Sequence, residues 1–429
     1  MKKLFIILSL CVISLITNAE CKSIEHIFLI HGVGGSPSSF SKMDINLRKH
    51  LRCVDTYYFS YETENSRLKV KDFSKSLERF IQSKNISAKD QISFIMHSQG
   101  GLVGLDWLYR SFKEFESYKE SKISQFKNYI TLSTPFWGSD FSSLGDSVLY
   151  SNDLVRNTVL PLGQEQLIDM KYGSETSLKR LESLTEDDNV SFVNFLKSIR
   201  VLNVKATVHV PDTSAIDRVS AILEGDLIVN IPSMELGFNY YKEEEINEYT
   251  TNMKSIVLGN ILSSSVSHVR GAHTSGAMVP GVASVPWFCR FERFCYHEGY
   301  KAVLSFLRGQ EPYTNPELDE ELKSFELHVR VEIPTLENAE EDLTLEILSE
   351  EDPSLTVSYY RNDRTTYSPL RFNKEGKIAF FIVKGVVHNE TSANLEIRIS
   401  HPDVKSRSYK LSPSKRRVNH LMTSLKLLP

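Results

Sequence analysis

Several things are missing from this sequence, and each absence removes a class of function. Basic charge is not in excess: 50 Lys and Arg stand against 54 Asp and Glu, a formal charge of −4. That excludes broad attraction to nucleic acid or to an anionic membrane, and no nucleic-acid partner is expected. Internal repeats and low-complexity tracts are absent. Cysteine is scarce, five in all, and no spacing among them suits zinc. No acidic cluster demands calcium. No metal and no cofactor is expected. What remains, 41% hydrophobic and 24% charged over 429 residues, describes an ordinary globular chain with ample material for a large core.

The apolar run at the N-terminus, Leu4 to Ile16, falls short of the roughly 20 residues of a membrane-spanning helix. With Lys2 and Lys3 before it and Thr17-Asn18-Ala19 after it, it has the parts of a secretory signal. Residues 1–19 are therefore expected to be removed after Ala19, leaving a secreted or periplasmic protein; an uncleaved anchor is the alternative. Glu20 before Cys21 and Leu10 before Cys11 do not suit lipid attachment. The mature chain keeps Cys21, Cys53, Cys289 and Cys295, an even number suited to disulfides in an oxidising compartment. Closeness in sequence favours Cys289 with Cys295. Cys21 and Cys53 each stand shortly before a strand-like run, and they meet if those strands are parallel neighbours. Free buried thiols are the other reading.

Along the chain, compact apolar runs alternate with helical patterns. The runs are Ile27 to Ile30, Thr56 to Phe59, Ile92 to Met96, Tyr129 to Leu132 and Val201 to His209, with helices such as Phe73 to Ile81 between them. This argues an α/β unit with a mainly parallel sheet covered on both faces, closed by a helix over Tyr300 to Leu307. Beyond Pro312 the texture changes to period-two runs: Phe325 to Ile333, Leu343 to Leu348, Leu355 to Tyr360, Lys377 to Val383 and Leu395 to Ile399. Short strands at regular spacing suggest a C-terminal antiparallel β-sandwich domain over 315–429, after a first domain over 20–314.

The strongest chemical signal is Ile92-Ser93-Phe94-Ile95-Met96-His97-Ser98-Gln99-Gly100-Gly101, a strand running into a small polar turn and then into the helix-like Leu102 to Tyr109. It has the outline of a nucleophile elbow, in which a serine on a sharp strand-to-helix turn presents its hydroxyl above the sheet. Small residues two before and two after the serine let strand and helix approach; Gly100 fits that pattern and Met96 does not. A second signal is Phe28-Leu29-Ile30-His31-Gly32-Val33-Gly34-Gly35-Ser36, a strand ending in a glycine-rich loop. It lacks the lysine of a P-loop and the glycine spacing of a dinucleotide fingerprint. Beside the elbow it reads as an oxyanion loop, with the backbone N–H groups of Val33 and Gln99 as the two donors. His31 and His97 read as supports of these loops.

Together with Ser133-Thr134-Pro135-Phe136-Trp137-Gly138-Ser139, these motifs resemble the α/β-hydrolase superfamily, in particular its lipase-like branch of triacylglycerol lipases, acyltransferases and inositol deacylases acting on GPI anchors. The resemblance covers about residues 24 to 310. It implies the chain order serine, acid, histidine. Glu224-Gly225-Asp226-Leu227-Ile228-Val229-Asn230-Ile231-Pro232-Ser233 looks like the branch's acid motif, with Asp226 as the acid and Glu224 as its nearest substitute. The base is expected in Val266-Ser267-His268-Val269-Arg270-Gly271-Ala272-His273, with His273 preferred; His268 and His297 are the alternatives.

Residues 144–196 offer a cap or lid that would shape an acyl pocket, or else helices of the core. The basic stretch Lys405, Arg407, Lys410, Lys415, Arg416 and Arg417 would meet a membrane surface or an envelope polymer, or lie on a solvated strand face. Two function classes are open: an exported serine hydrolase of lipid or other hydrophobic esters, with amide and thioester cleavage as variants of the same chemistry, and a catalytically silent binding protein on the same fold. Met96 favours silence; the serine, acid and histidine candidates favour chemistry.

Overall fold

The computed structural model describes residues 21–63, 65, 67–139, 163–185, 190–206, 228–242, 245–248, 253–258 and 298–313. In the C-terminal part it describes 324–333, 343–348, 356–357, 366–367, 371–372, 378–386, 395–402, 404–411 and 420–426. Six strands form a parallel sheet: β1 (Glu25–Ile30), β2 (Val54–Phe59), β3 (Gln91–His97), β4 (Phe126–Leu132), β5 (Arg200–Ala206) and β8 (Met253–Leu258), in the order β2-β1-β3-β4-β5-β8. Nearly continuous apolar sequence in β1, β3 and β4 is what burial on both faces requires.

Alternation along each strand sorts the side chains into two cores. Ile27, Leu29, Ile95, Ile130, Leu202 and Val204 pack under the helices α1 (Ser41–His50) and α7 (Glu298–Leu307). Phe28, Ile30, Phe94, Met96, Tyr129 and Val201 face the other way. They pack under α2 (Val70–Gln82), α3 (Gln99–Phe112), α4 (Gln164–Met170), α5 (Glu175–Thr185) and α6 (Val190–Ser198). Strand order reverses beside β1, whose neighbours are β2 on one side and β3 on the other. In open parallel sheets such a reversal opens a crevice at the carboxyl ends of the strands. The loops leaving β1 and β3, Gly32–Gly35 and Ser98–Gly100, sit there.

At the opposite edge of the sheet, Glu25 pairs with Val54 in the parallel β1–β2 ladder. That places Cys21 and Cys53 together, and they are disulfide-bonded, with Cα atoms 5.5 Å apart. Cys289 and Cys295 lie outside the described residues.

The C-terminal strands form two sheets. The smaller, in the order β12-β10-β15-β16, joins Thr366–Tyr367, Thr344–Leu348, Leu395–His401 and Val404–Leu411 in antiparallel pairs. The larger runs β11-β14-β9-β17-β6-β7, with β13 (Arg371–Phe372) on β14. Its strands are β11 (Thr356–Val357), β14 (Ile378–Val386), β9 (Ser324–Glu332) and β17 (His420–Lys426), together with the hairpin β6 (Asn239–Lys242) and β7 (Glu245–Glu248). The ladders of β17 with β9 and with β6 are parallel, and the others in this sheet are antiparallel. Residues from the middle of the chain thus complete a sheet of the C-terminal part. Phe380 of β14 is buried in the same apolar cluster as Trp137 and Phe238.

Lys405 and Arg407 lie on β16, an edge strand of the smaller sheet. Basic residues on an edge strand guard against pairing with another chain. Lys415, Arg416 and Arg417 lie outside the described residues. Among the described residues, no helix is long and apolar enough to cross a membrane.

Candidate active site

Strand β3 ends at His97, and Ser98 turns the chain into α3 with φ 51° and ψ −127°. A non-glycine residue rarely adopts this region, and strain of this kind is characteristic of functional turns. The turn is held on both sides: the Ser98 N–H donates to the Leu132 carbonyl at the end of β4 (2.9 Å), and the Ser98 carbonyl accepts from the Gly101 N–H (3.0 Å). Ser98 is recessed, with 6% of its surface exposed. Its position at the start of a 14-residue helix also puts it where unpaired N–H groups and the positive end of the helix dipole lie.

Two glycine contacts press the β1 loop onto this turn. A Cβ on Gly32 would come within 2.6 Å of the Ser98 Cβ, and one on Gly100 would come within 2.5 Å of the Ile30 carbonyl oxygen and 2.6 Å of that of His31. Val33 and Gln99, the expected oxyanion donors, follow Gly32 and Ser98 directly in the chain and so flank this close contact.

Met96 does not spoil the elbow, because the helix makes room for it. The side chain is fully buried, and its sulfur lies where a Cβ on Gly104 would have to be. The space lost at the strand is recovered one and a half turns into α3.

His31 supports the loop, as expected. Its Nδ1 lies 2.9 Å from the Gly32 carbonyl oxygen, which can only accept, so Nδ1 carries the proton. The ring stacks on Tyr61 at 4.5 Å between centroids. Burial lowers its pKa against the opposing effect of that hydrogen bond, keeping the ring neutral. Tyr61 donates its hydroxyl to the His31 carbonyl (2.5 Å), and Thr63 Oγ1 accepts from the Gly34 N–H (3.1 Å).

The loop after β4 forms the next layer. Ser133 has φ 48°, and its N–H donates to the Val204 carbonyl (2.9 Å). Ser233 clasps the loop. It accepts from the Phe136 N–H at its carbonyl (2.8 Å) and from the Trp137 N–H at its hydroxyl (3.3 Å), and the hydroxyl donates to the Gly138 carbonyl (2.6 Å). Trp137 Nε1 donates to the Glu235 carbonyl (2.7 Å), and Ser139 Oγ to the Ile228 carbonyl (2.5 Å). A buried ion pair of Lys205 with Glu235 (2.9 Å) fixes the same segment to the end of β5. The stretch Ile228–Phe238, which begins two residues after Asp226, is thereby bound to the loop beside the elbow. Asp226 and Glu224 themselves lie outside the described residues, as do His268, His273 and His297. Among the described residues, no group of His, Cys, Asp and Glu could hold a metal ion.

The region expected to be a cap is described from residue 163 to 185 and from 190 to 196. Here Leu167, Met170, Leu184, Phe192, Val193 and Leu196 are buried in the core of the parallel sheet, so these helices belong to the body of the fold. Residues 144–162 lie outside the described residues. Three polar residues of these helices went unnoticed in the sequence. Gln166 Oε1 accepts from Gln99 Nε2 (3.4 Å). Asp169 accepts from the Val70 N–H (2.9 Å) and from Thr176 (2.6 Å). Arg180 donates to the Phe136 carbonyl, and burial pulls its pKa down to about 10.

Residues 22–216 match the family described as "Putative serine esterase (DUF676)". Among solved structures, phospholipase PlaB from Legionella pneumophila is similar over 94% of this chain and 93% of its own, with 13% identity and a TM-score of 0.57. The same protein in complex with thio-NAD gives 12% identity and 0.56 over the same shares. The mature form of lipase BlEst2 from Bacillus licheniformis, 14% identical, covers 57% of this chain and 86% of its own at a TM-score of 0.38. No curated protein matches the chain. The likeness to PlaB is one of fold, and it takes in the C-terminal sheets as well as the parallel sheet.

Proposed function

We propose that the chain is a carboxylic ester hydrolase of the lipase-like α/β-hydrolase branch, and that it cleaves lipid or other hydrophobic acyl esters through an acyl-Ser98 intermediate. The observation that carries this reading is the fit of Gly32 against Ser98 at the reversal of the sheet. In this reading the strained serine and the Val33 and Gln99 amides act around one point, where a carbonyl oxygen gains negative charge during attack.

In the proposed reaction Ser98 Oγ attacks the ester carbon while His273 takes its proton, with His297 as the alternative base. The tetrahedral oxyanion accepts from the Val33 and Gln99 N–H groups. The alcohol leaves with the proton from the imidazole, and water then attacks the acyl-serine by the same route to release the acid. Asp226 holds the imidazole and stabilises its charged form. The catalytic unit in this reading is residues 20–314, with 315–429 as the accessory domain.

Two features support export after cleavage near Ala19: the form of residues 1–19, and the Cys21–Cys53 bond, which belongs to an oxidising compartment. The seating of Met96 against Gly104 removes the feature that favoured a silent binding protein.

A panel of p-nitrophenyl esters of increasing acyl length, given to the full chain and to Ser98→Ala, tests the proposal. Turnover that falls roughly 10⁴-fold or more in the variant is expected, with longer acyl chains preferred. Equal turnover by the two proteins would rule it out.

A further inference from the structure

The C-terminal sheet reaches the loop beside the elbow through a buried polar chain. Glu326 and His328 stand on β9, about 190 residues along the chain from Trp137, and both are buried, at 1% and 6% exposure. The Glu326 carboxylate receives two of its contacts from different parts of the fold: the Tyr172 hydroxyl donates to Oε2 (2.9 Å), and His328 Nε2 donates to Oε1 (2.7 Å). His328 then meets the Trp137 indole at 5.9 Å between centroids, edge to face. Tyr172 lies over the same loop, since a Cβ on Gly138 would come within 2.5 Å of its ring, and the Ser139 N–H donates to the Met170 carbonyl nearby (3.0 Å).

We propose that Glu326 and His328 are positioning residues for the ester-cleaving site, acting through Tyr172 and Trp137 to fix the 133–139 loop and, with it, the segment after Asp226. The activity part of this inference rests on the acyl-Ser98 reading; the structural part does not.

Docking alone would not call for this arrangement. Phe380 of β14 already joins the two parts through apolar packing, whereas burying a carboxylate is costly unless its donors are in place. What the carboxylate adds is direction. Its two oxygens accept from Tyr172 and His328, one each, and these two side chains contact Gly138 and Trp137 of the loop. The loop they contact leads back to Leu132, whose carbonyl accepts from the Ser98 N–H, and forward to Ser233 and Ile228. Displacement of the loop by a fraction of an ångström would shift the segment from Ile228 relative to the Ser98 turn, and small misplacements far from the reacting atoms are amplified in rate.

The test uses the full chain with Tyr172→Phe, which removes one hydroxyl, and Glu326→Gln, whose amide cannot accept from both donors. Three readouts are needed: kcat and KM on a soluble short-chain ester, thermal unfolding, and hydrogen exchange of peptides covering 133–139 and 228–238. The expected result is a fall in kcat of about 10-fold with KM little changed, together with exchange in both peptides several-fold faster. Partial restoration towards wild type is expected in Glu326→Asp, which keeps the carboxylate.

A lower unfolding temperature with unchanged kcat and unchanged exchange in those peptides would show a merely structural pair and overturn the inference. Should Glu326→Gln fail to fold, Tyr172→Phe decides by the same readouts. If the wild-type chain turns over no ester, the acyl-Ser98 reading fails separately, and unchanged exchange in Tyr172→Phe would still overturn the positioning role.

Discussion

The sulfur of Met96 fills the space that a side chain on Gly104 would occupy, so a residue of β3 and a residue of α3 share one site in the core behind Ser98. The usual small residue before a nucleophilic serine is thus exchanged for a glycine six residues after it.

This pairing makes Gly104→Ala destabilising by about 1–2 kcal/mol, because overpacking outweighs the gain in helix propensity. Met96→Ala alone should cost about 2–4 kcal/mol by opening a cavity. The double variant should be more stable than the sum of the two losses allows. Denaturant midpoints of the four proteins measure the coupling, and strict additivity would show that the two residues do not share space.

Gly100 is constrained by backbone on the other side and cannot be relieved in this way. Its Cβ would meet the carbonyl oxygens of Ile30 and His31, so Gly100→Ala must push α3 away from the β1 loop and separate the Gln99 and Val33 amides. A fall in kcat/KM of at least about 100-fold is expected, the scale of losing an oxyanion donor. Activity within a few-fold of wild type would mean that these two loops do not act together.

The Cys21–Cys53 bond lies at the starts of β1 and β2, the edge of the sheet remote from Ser98. Replacing both with serine should lower stability by about 2–4 kcal/mol and leave kcat/KM unchanged at temperatures where the variant is folded. Unfolding curves and initial rates on the same preparations separate the two effects.

Burial of Glu78 sets the sign of one pH dependence of the fold. Burial raises its pKa, against the hydrogen bonds from Gln82 and Trp107 that lower it. The folded chain therefore holds this proton to higher pH than the unfolded chain. Its contribution is present at low pH and is lost as pH rises through the raised value. Glu78→Gln keeps an acceptor for Trp107 without the charge, so its stability relative to wild type should grow as pH rises above the ordinary carboxylate range. A constant difference across that rise would contradict the assignment.

Much of this molecule is legible in its sequence, for a physical reason. Strands buried on both faces must be almost purely apolar, so Ile27 to Ile30 and Ile92 to Met96 declare themselves, and their parallel pairing follows from the helices between them. That same pairing made Cys21 and Cys53 neighbours. The hairpin β6–β7 escaped notice because Asn239–Lys242 and Glu245–Glu248 are short and polar, and β6 joins its sheet through a strand just over 180 residues away. At the site, Ser98 and the glycine loop were visible as local motifs. Gly104, Tyr172, Glu326 and His328 were not, since each acquires its role from a contact that only the folded chain creates. The helices of 163–196 show the converse difficulty: an amphipathic pattern is the same whether its apolar face covers a substrate pocket or a core.

The central claim is that Ser98 is the nucleophile, and reaction of the folded chain with a fluorophosphonate probe tests it most directly. The account predicts a single labelled residue, Ser98, and no labelling of Ser98→Ala. Label retained by the alanine variant, label on another residue, or no label on the folded wild-type chain would contradict it.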